Sequence, residues 1–149
     1  MDYIRLTRRF TFEMAHALHN YDGACRNIHG HSYKLEVTIL GTPISDEDNP
    51  KNGMVLDFGD LKKLVQEHII SPLDHALLLH ENTAPELIVA LRKLNHKLVL
   101  TSWQPTCERM LLDFKNKLLP ALPPHITLHS IRLWETENSH AEWFAADNA

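Results

Sequence analysis

Two stretches of apolar alternation, separated by a loop with no period, constrain this chain more than any other feature. Ile4, Leu6, Phe10, Phe12 and Met14 take even positions with Thr7, Arg9, Thr11 and Glu13 between them, which predicts a strand over 3–14 with one buried face. Tyr33, Leu35, Val37 and Ile39 alternate with Lys34, Glu36 and Thr38, predicting a second strand over 32–40 that Gly41-Thr42-Pro43 ends. The connection over 15–30 carries Asn20, Asp22, Gly23, Asn27 and Gly30 and reads as an irregular loop that holds polar side chains in place.

Helices follow. Asp57 can cap a helix over 58–70, because its carboxylate can accept from the first free amides while Phe58, Leu61, Leu64, Val65 and Ile69 form one inward stripe; Pro72 stops it. Thr83-Ala84-Pro85-Glu86 combines a cap, an early Pro and a Glu three residues after the cap, predicting a short helix to about residue 94. The segment 97–101 allows a short strand. Pro105-Thr106 opens a third helix to about residue 119, with Met110, Leu111, Phe114 and Leu118 facing inward. The last strands are expected over 126–135 and 140–145. Within the first of these the apolar set moves from even positions (Ile126, Leu128) to odd ones (Ile131, Leu133), so a bulge is expected near Ser130. Strand, strand, helices, strand, strand implies an α+β fold, an antiparallel four-stranded sheet with helices on one face. No linker or repeat divides 1–149, so one domain is expected.

Composition excludes several function classes. Fifteen Lys and Arg against nineteen Asp and Glu give a formal charge of -4 with no basic block, so nucleic acid is not an expected partner. No apolar run reaches the roughly 18 residues a membrane helix needs, and the charged opening MDYIRLTRRF does not read as a signal peptide. The expectation is a soluble, cytoplasmic protein. Two cysteines, Cys25 and Cys107, make no disulfide framework and are expected as free thiols. Eleven histidines are the unusual entry in this composition.

Part of that histidine excess has a pattern. His29-Gly30-His31 enters the second strand, where residues two apart point to one face and both imidazoles can reach one ion. A hairpin across the long loop would bring His16 back beside them. Three nitrogen ligands with a fourth position open is the arrangement of catalytic zinc. His19 competes with His16 as third ligand, and the spacing does not separate them.

Several further strings appear in one order: Phe12-Glu13-Met14-Ala15-His16, Cys25-Arg26-Asn27-Ile28-His29-Gly30-His31, Met54-Val55-Leu56-Asp57-Phe58, Leu73-Asp74-His75, Pro105-Thr106-Cys107-Glu108 and Glu135-Thr136. Together they resemble the 6-pyruvoyltetrahydropterin synthase and 6-carboxytetrahydropterin synthase family. The resemblance implies a tunnelling fold (T-fold) and a zinc lyase acting on 7,8-dihydroneopterin triphosphate. It also implies a homo-hexamer, a dimer of trimers with active sites between subunits. It makes His16, His29 and His31 the Zn2+ ligands, in preference to His19. By the same resemblance Cys25 matches the catalytic cysteine, Asp74 and His75 the Asp-His pair, and Glu135 the pterin anchor, with Thr106 and Glu108 as further contacts to the pterin.

The three-residue gap between Cys25 and His29 resembles the 6-carboxytetrahydropterin branch, whose product feeds 7-deazaguanine (queuosine) biosynthesis. The alternatives are the pyruvoyl branch, which eliminates triphosphate without releasing a two-carbon aldehyde, and a non-catalytic pterin- or zinc-binding module. The stretch 80–103 is longer than in compact members, and Met14 and Cys107 stand where small residues are commoner. Cys107 reads as packing, and Asp57 as a cap. His68, His96, His125, His129 and His140 carry no motif. Trp134 and Trp143 read as packing or interface residues. Arg8, Arg9, Arg26, Lys34 and Lys51 are the cations available for a triphosphate.

Overall fold

A computed structural model describes residues 1–149. The two alternating segments form the long strands β1 (Ile4–His16) and β2 (His29–Gly41), paired antiparallel in unbroken register from Ile4 opposite Gly41 to His16 opposite His29. After β2 come α1 (Phe58–Val65), a π turn over Gln66–Ile70, the short α2 (Ser71–Leu73) and β3 (Ala76–His80). Then follow α3 (Pro85–Lys93), β4 (Leu98–Thr101), α4 (Cys107–Leu118), β5 (Thr127–Thr136) and β6 (Ser139–Phe144).

The sheet has six strands in the order β4-β3-β1-β2-β5-β6. This corrects the expected four-stranded antiparallel sheet: β3 pairs parallel with β1, and β4 parallel with β3. The missing strand has a physical explanation. Ala76-Leu77-Leu78-Leu79-His80 is a continuous apolar run, the pattern of a parallel strand covered on both faces, and it shows no period of two. The α+β class stands, with helices and parallel strands sharing the middle of the chain.

Even-numbered residues of β1 and odd-numbered residues of β2 turn into one core. Phe12 stacks on Tyr33 with ring centroids 5.0 Å apart and meets Phe114 of α4 edge-on at 6.4 Å. Met110, Leu111, Phe114 and Leu118 are all buried, as their helical spacing requires, and each such side chain contributes about 1.5–3 kcal/mol by leaving water. Across β2 and β5, Ser130 faces Thr38 while Leu128 faces Ile39, which leaves His129 as the extra residue of the expected bulge.

Helix starts are mixed. Asp57 caps α1 by accepting from the Gly59 amide at 2.7 Å, and Thr106 caps α4 by accepting from the Arg109 amide at 3.3 Å. The Thr83 cap does not form: Ala84 takes that position with no side-chain bond, and Pro85 at the first helical position sets the turn. Phe58 is 52% exposed, so the inward stripe of α1 begins at Leu61. No helix is long and apolar enough to cross a membrane.

Candidate metal centre and adjoining cavity

The hairpin register builds the centre. Residues directly opposite on antiparallel strands point to the same face, so pairing His16 with His29 and Met14 with His31 puts three imidazoles on the core side of the sheet's end. Their rings lie 4.6 to 5.2 Å apart centroid to centroid, and one ligand atom from each falls within 4.8 Å of the others. His19 is outside this group. Its ring stacks on His80 at 5.1 Å, while its backbone N–H and C=O are both bonded by the Gln104 side-chain amide at 2.8 and 2.6 Å.

Two carbonyls settle the chemistry of the imidazoles. His16 Nδ1 lies 2.8 Å from Pro105 O and His29 Nδ1 lies 2.7 Å from Asn27 O. A carbonyl only accepts, so both Nδ1 atoms carry the proton and, in the neutral rings, both Nε2 atoms present a bare lone pair. Those two Nε2 atoms face each other at 3.1 Å. Glu135 Oε1, another acceptor, stands 3.3 Å from His16 Nε2 and 3.7 Å from His31 Nε2. Acceptors converging on one point repel unless a cation lies among them. A tetrahedral ion with nitrogens at 2.0–2.1 Å would space them about 3.3 Å apart, close to the separation found. His16 is 2% exposed, and burial lowers its pKa against the partial support of the Pro105 carbonyl and Glu135. That keeps the ring in the neutral form a metal requires. The donor set therefore fits a divalent metal ion.

A cavity of about 300 Å³ adjoins the centre. His16, Thr106, Cys107 and Glu108 line it from the centre and the start of α4. Leu18, Tyr21 and Cys25 come from the loop, and Glu135, Ser139, His140 and Ala141 from the β5–β6 hairpin. Cys25 is exposed on a single 3-10 turn, Ala24–Arg26, which the Leu18 amide ties down by donating to Cys25 O at 2.9 Å. The cavity thus holds Cys25, Thr106, Glu108 and Glu135 beside the histidines. Thr106 divides its hydroxyl between capping α4 and facing this space.

Asp74 and His75 are elsewhere. They follow α2 and lie beside Glu13, Gly30, His31 and Ser32, with His75 lining a separate depression there. Asp74 Oδ1 accepts from the Glu13 amide at 2.9 Å and stands 3.0 Å from His75 Nδ1. The Glu13 N–H, then His75, hold the Asp74 carboxyl below its usual range. His75 has φ of 61°, a left-handed conformation that costs a non-glycine residue about 1–3 kcal/mol. Its amide, donating to Glu13 O at 2.6 Å, holds it there.

None of the five candidate cations lines the cavity. Arg9 pairs with Glu36 at 2.6 Å, Lys51 binds Asp60, and Arg8 donates to Phe58 O at 3.2 Å. Residues to which the sequence reading assigned no part in the site do contribute: Pro105, read only as a helix opener and motif member, through its carbonyl, Gln104 through its clamp on His19, and Tyr21 and His140 as cavity walls. Backbone carbonyls and loop contacts leave no periodicity or motif to read.

The two thiols differ. Burial, then the Glu135 carboxylate, push the Cys107 thiol up to about 12, so it stays protonated at every pH below that range. Its Sγ donates to Leu133 O at 3.4 Å. Iodoacetamide applied to the native protein near pH 7.5 is expected to modify exposed Cys25 and spare Cys107, since the thiolate is the reacting form. Peptide mass spectrometry reads the outcome, and equal labelling would contradict this environment for Cys107.

Comparison with known proteins gives a consistent result. The model of the family described as 6-pyruvoyl tetrahydropterin synthase matches residues 5–146. A 6-carboxy-5,6,7,8-tetrahydropterin synthase of Haemophilus influenzae is 38% identical over 141 residues, covering 93% of this chain and 97% of that protein. A 6-pyruvoyl tetrahydrobiopterin synthase of Dictyostelium discoideum is 32% identical, covering 90% of each chain. The solved 6-pyruvoyl tetrahydropterin synthase of Caenorhabditis elegans superposes with a TM-score of 0.67 at 24% identity over 97% of both chains, which establishes the shared tunnelling fold. With the histidine cluster at the end of a hairpin and a family match over nearly all its length, this chain belongs to the 6-pyruvoyl tetrahydropterin synthase family.

Proposed function

We propose that this protein is a zinc-dependent 6-carboxy-5,6,7,8-tetrahydropterin synthase, a single-domain lyase. It would convert 7,8-dihydroneopterin triphosphate and water to 6-carboxytetrahydropterin, acetaldehyde and triphosphate, a step toward 7-deazaguanine (queuosine) compounds. The observation that carries the reading is the convergence of three imidazoles, with Glu135 against two of them, at the edge of a cavity that His16, Glu135 and an exposed cysteine line, in a chain 38% identical to a protein of that name. The three-residue spacing of Cys25 and His29 supports the carboxy branch.

In this reading His16, His29 and His31 hold Zn2+, their Nε2 lone pairs freed by the carbonyl bonds at Nδ1 where those are present. The chemistry a bound zinc ion supplies is Lewis-acid polarisation of the substrate's side-chain hydroxyls, which acidifies them and the neighbouring C–H bonds. Cys25, on its short turn at the cavity wall, moves protons at those carbons as general base and acid. Asp74 accepts from His75 Nδ1 and so presents His75 Nε2 outward as its partner in proton transfer. Glu135 accepts paired bonds from the amino group and ring N–H of the pterin, with Thr106 and Glu108 at its other edge.

A single chain leaves Asp74 and His75 lining no part of the Cys25 cavity. This supports a site completed by a second copy, as in a homo-hexamer arranged as a dimer of trimers, and the neighbour would also bring cations for the triphosphate. The composition and the absence of a membrane-length helix support a cytoplasmic location.

A second reading, 6-pyruvoyltetrahydropterin synthase, is favoured by the Dictyostelium discoideum relative at 32% identity. Product mass separates the two. Incubating zinc-quantified protein with 7,8-dihydroneopterin triphosphate is expected to yield 6-carboxytetrahydropterin and acetaldehyde. The pyruvoyl product would move the protein to the sister branch, and no turnover at one zinc per chain would leave a pterin- or zinc-binding module.

A further inference from the structure

The proposed contacts hold a pterin by its edges, through Glu135, and leave its flat faces without a recognised partner. Besides the His16 imidazole of the metal centre, two aromatic rings line the cavity, those of Tyr21 and His140. His140 is already committed, its ring packed on Trp134 at 4.8 Å and its Nε2 2.8 Å from Glu142 Oε1. Tyr21 is 45% exposed and stands on the loop wall that also carries Cys25.

What holds Tyr21 there is Gly23. A Cβ built at residue 23 would lie 2.5 Å from Tyr21 Cε1, 2.9 Å from Cζ and 3.0 Å from the hydroxyl, so the ring lies directly on the glycine's open face. The backbone of Gly23, with φ of -91° and ψ of -177°, is extended and open to any residue. Glycine at 23 therefore serves space, not conformation: the tyrosine ring fills that space, and a side chain at 23 would displace it.

Resting on the synthase reading, we propose that Tyr21 is the residue that recognises the face of the heterocycle: its ring, seated on Gly23, stacks on the pterin whose edge Glu135 holds. Offset stacking of a flat π-system on tyrosine adds to affinity without entering the bond-making steps. Tyr21 then contributes equally to ground state and transition state, which raises KM on its loss and leaves kcat in place.

The test is steady-state kinetics of the zinc-loaded protein with 7,8-dihydroneopterin triphosphate, alongside melting temperature and zinc content for each variant. Tyr21→Ala is expected to raise KM about 10-fold and change kcat less than about 2-fold, while Tyr21→Phe restores KM to within about 2-fold. Gly23→Ala, touching only the seat of the ring, is expected to raise KM comparably. Combining it with Tyr21→Ala is expected to add nothing, because the ring it displaces is gone. An unchanged KM in Tyr21→Ala overturns the inference and leaves the synthase reading intact. So does a Gly23→Ala effect of undiminished size in the Tyr21→Ala background, which would place that effect in the Cys25 turn. No turnover by the wild-type protein overturns both.

Discussion

His16→Ala is expected to strip the metal from the protein, leaving zinc content well below one per chain after gel filtration. His16 is the buried member of the cluster, and its ring is oriented by Pro105 O at 2.8 Å. Removing it takes away one of three nitrogens, so affinity is expected to fall by more than the 10–100-fold that loss of an outer partner typically costs. It also leaves the Pro105 carbonyl without its bond, at a stability cost of about 1–3 kcal/mol. The companion variant His19→Ala is expected to keep full zinc content, because His19 stacks on His80 outside the cluster. Elemental analysis of the two proteins decides the matter. Equal zinc loss in both, or full zinc in His16→Ala, would refute the assignment of the ligands.

The second large effect is expected at Cys25. Cys25→Ala should retain zinc and native melting behaviour, since the side chain is exposed and belongs to no packed contact of the core. Turnover should fall by at least about 10²–10⁴, the contribution of a positioned general acid or base. Zinc content, melting temperature and product formation measured on one preparation separate the roles. Retained turnover would remove Cys25 from the chemistry, and lost zinc would make it a ligand instead.

The site was legible to very different degrees. His29 and His31 were readable because one residue separates them on an extended chain, and alternation alone puts them on one face. His16 was readable only given a hairpin in the right register, which the alternation of β1 and β2 demands: a slip by one residue would put Phe12 and Tyr33 on opposite faces and turn one strand's apolar set out to water. That logic could not remove His19. Its exclusion depends on Gln104, 85 residues away in sequence, which binds its backbone and turns its ring toward His80.

Other features followed the same division. The inward face of α4 and the bulge at His129 are local patterns, and the structure reproduces both. The capping of α3 by Thr83 failed because Pro85 takes the first helical position and leaves Ala84 as the cap, and Phe58 is exposed because the inward stripe of α1 begins only at Leu61. The strand Ala76–His80 was invisible because burial on both faces erases alternation.

By itself the sequence determined the two-stranded hairpin, the α+β class, the helical faces and the histidine pair, because each depends on a period or on a spacing of a few residues. Only the tertiary structure decided the mixed six-stranded sheet and the tautomers of His16 and His29. It alone also decided the separation of Asp74 and His75 from the Cys25 cavity and the seat of Tyr21 on Gly23. The physical reason is common to them. Parallel pairing, carbonyl acceptors and ring-on-backbone packing join atoms across loop closures or through groups every residue carries, and such contacts leave no mark in residue order.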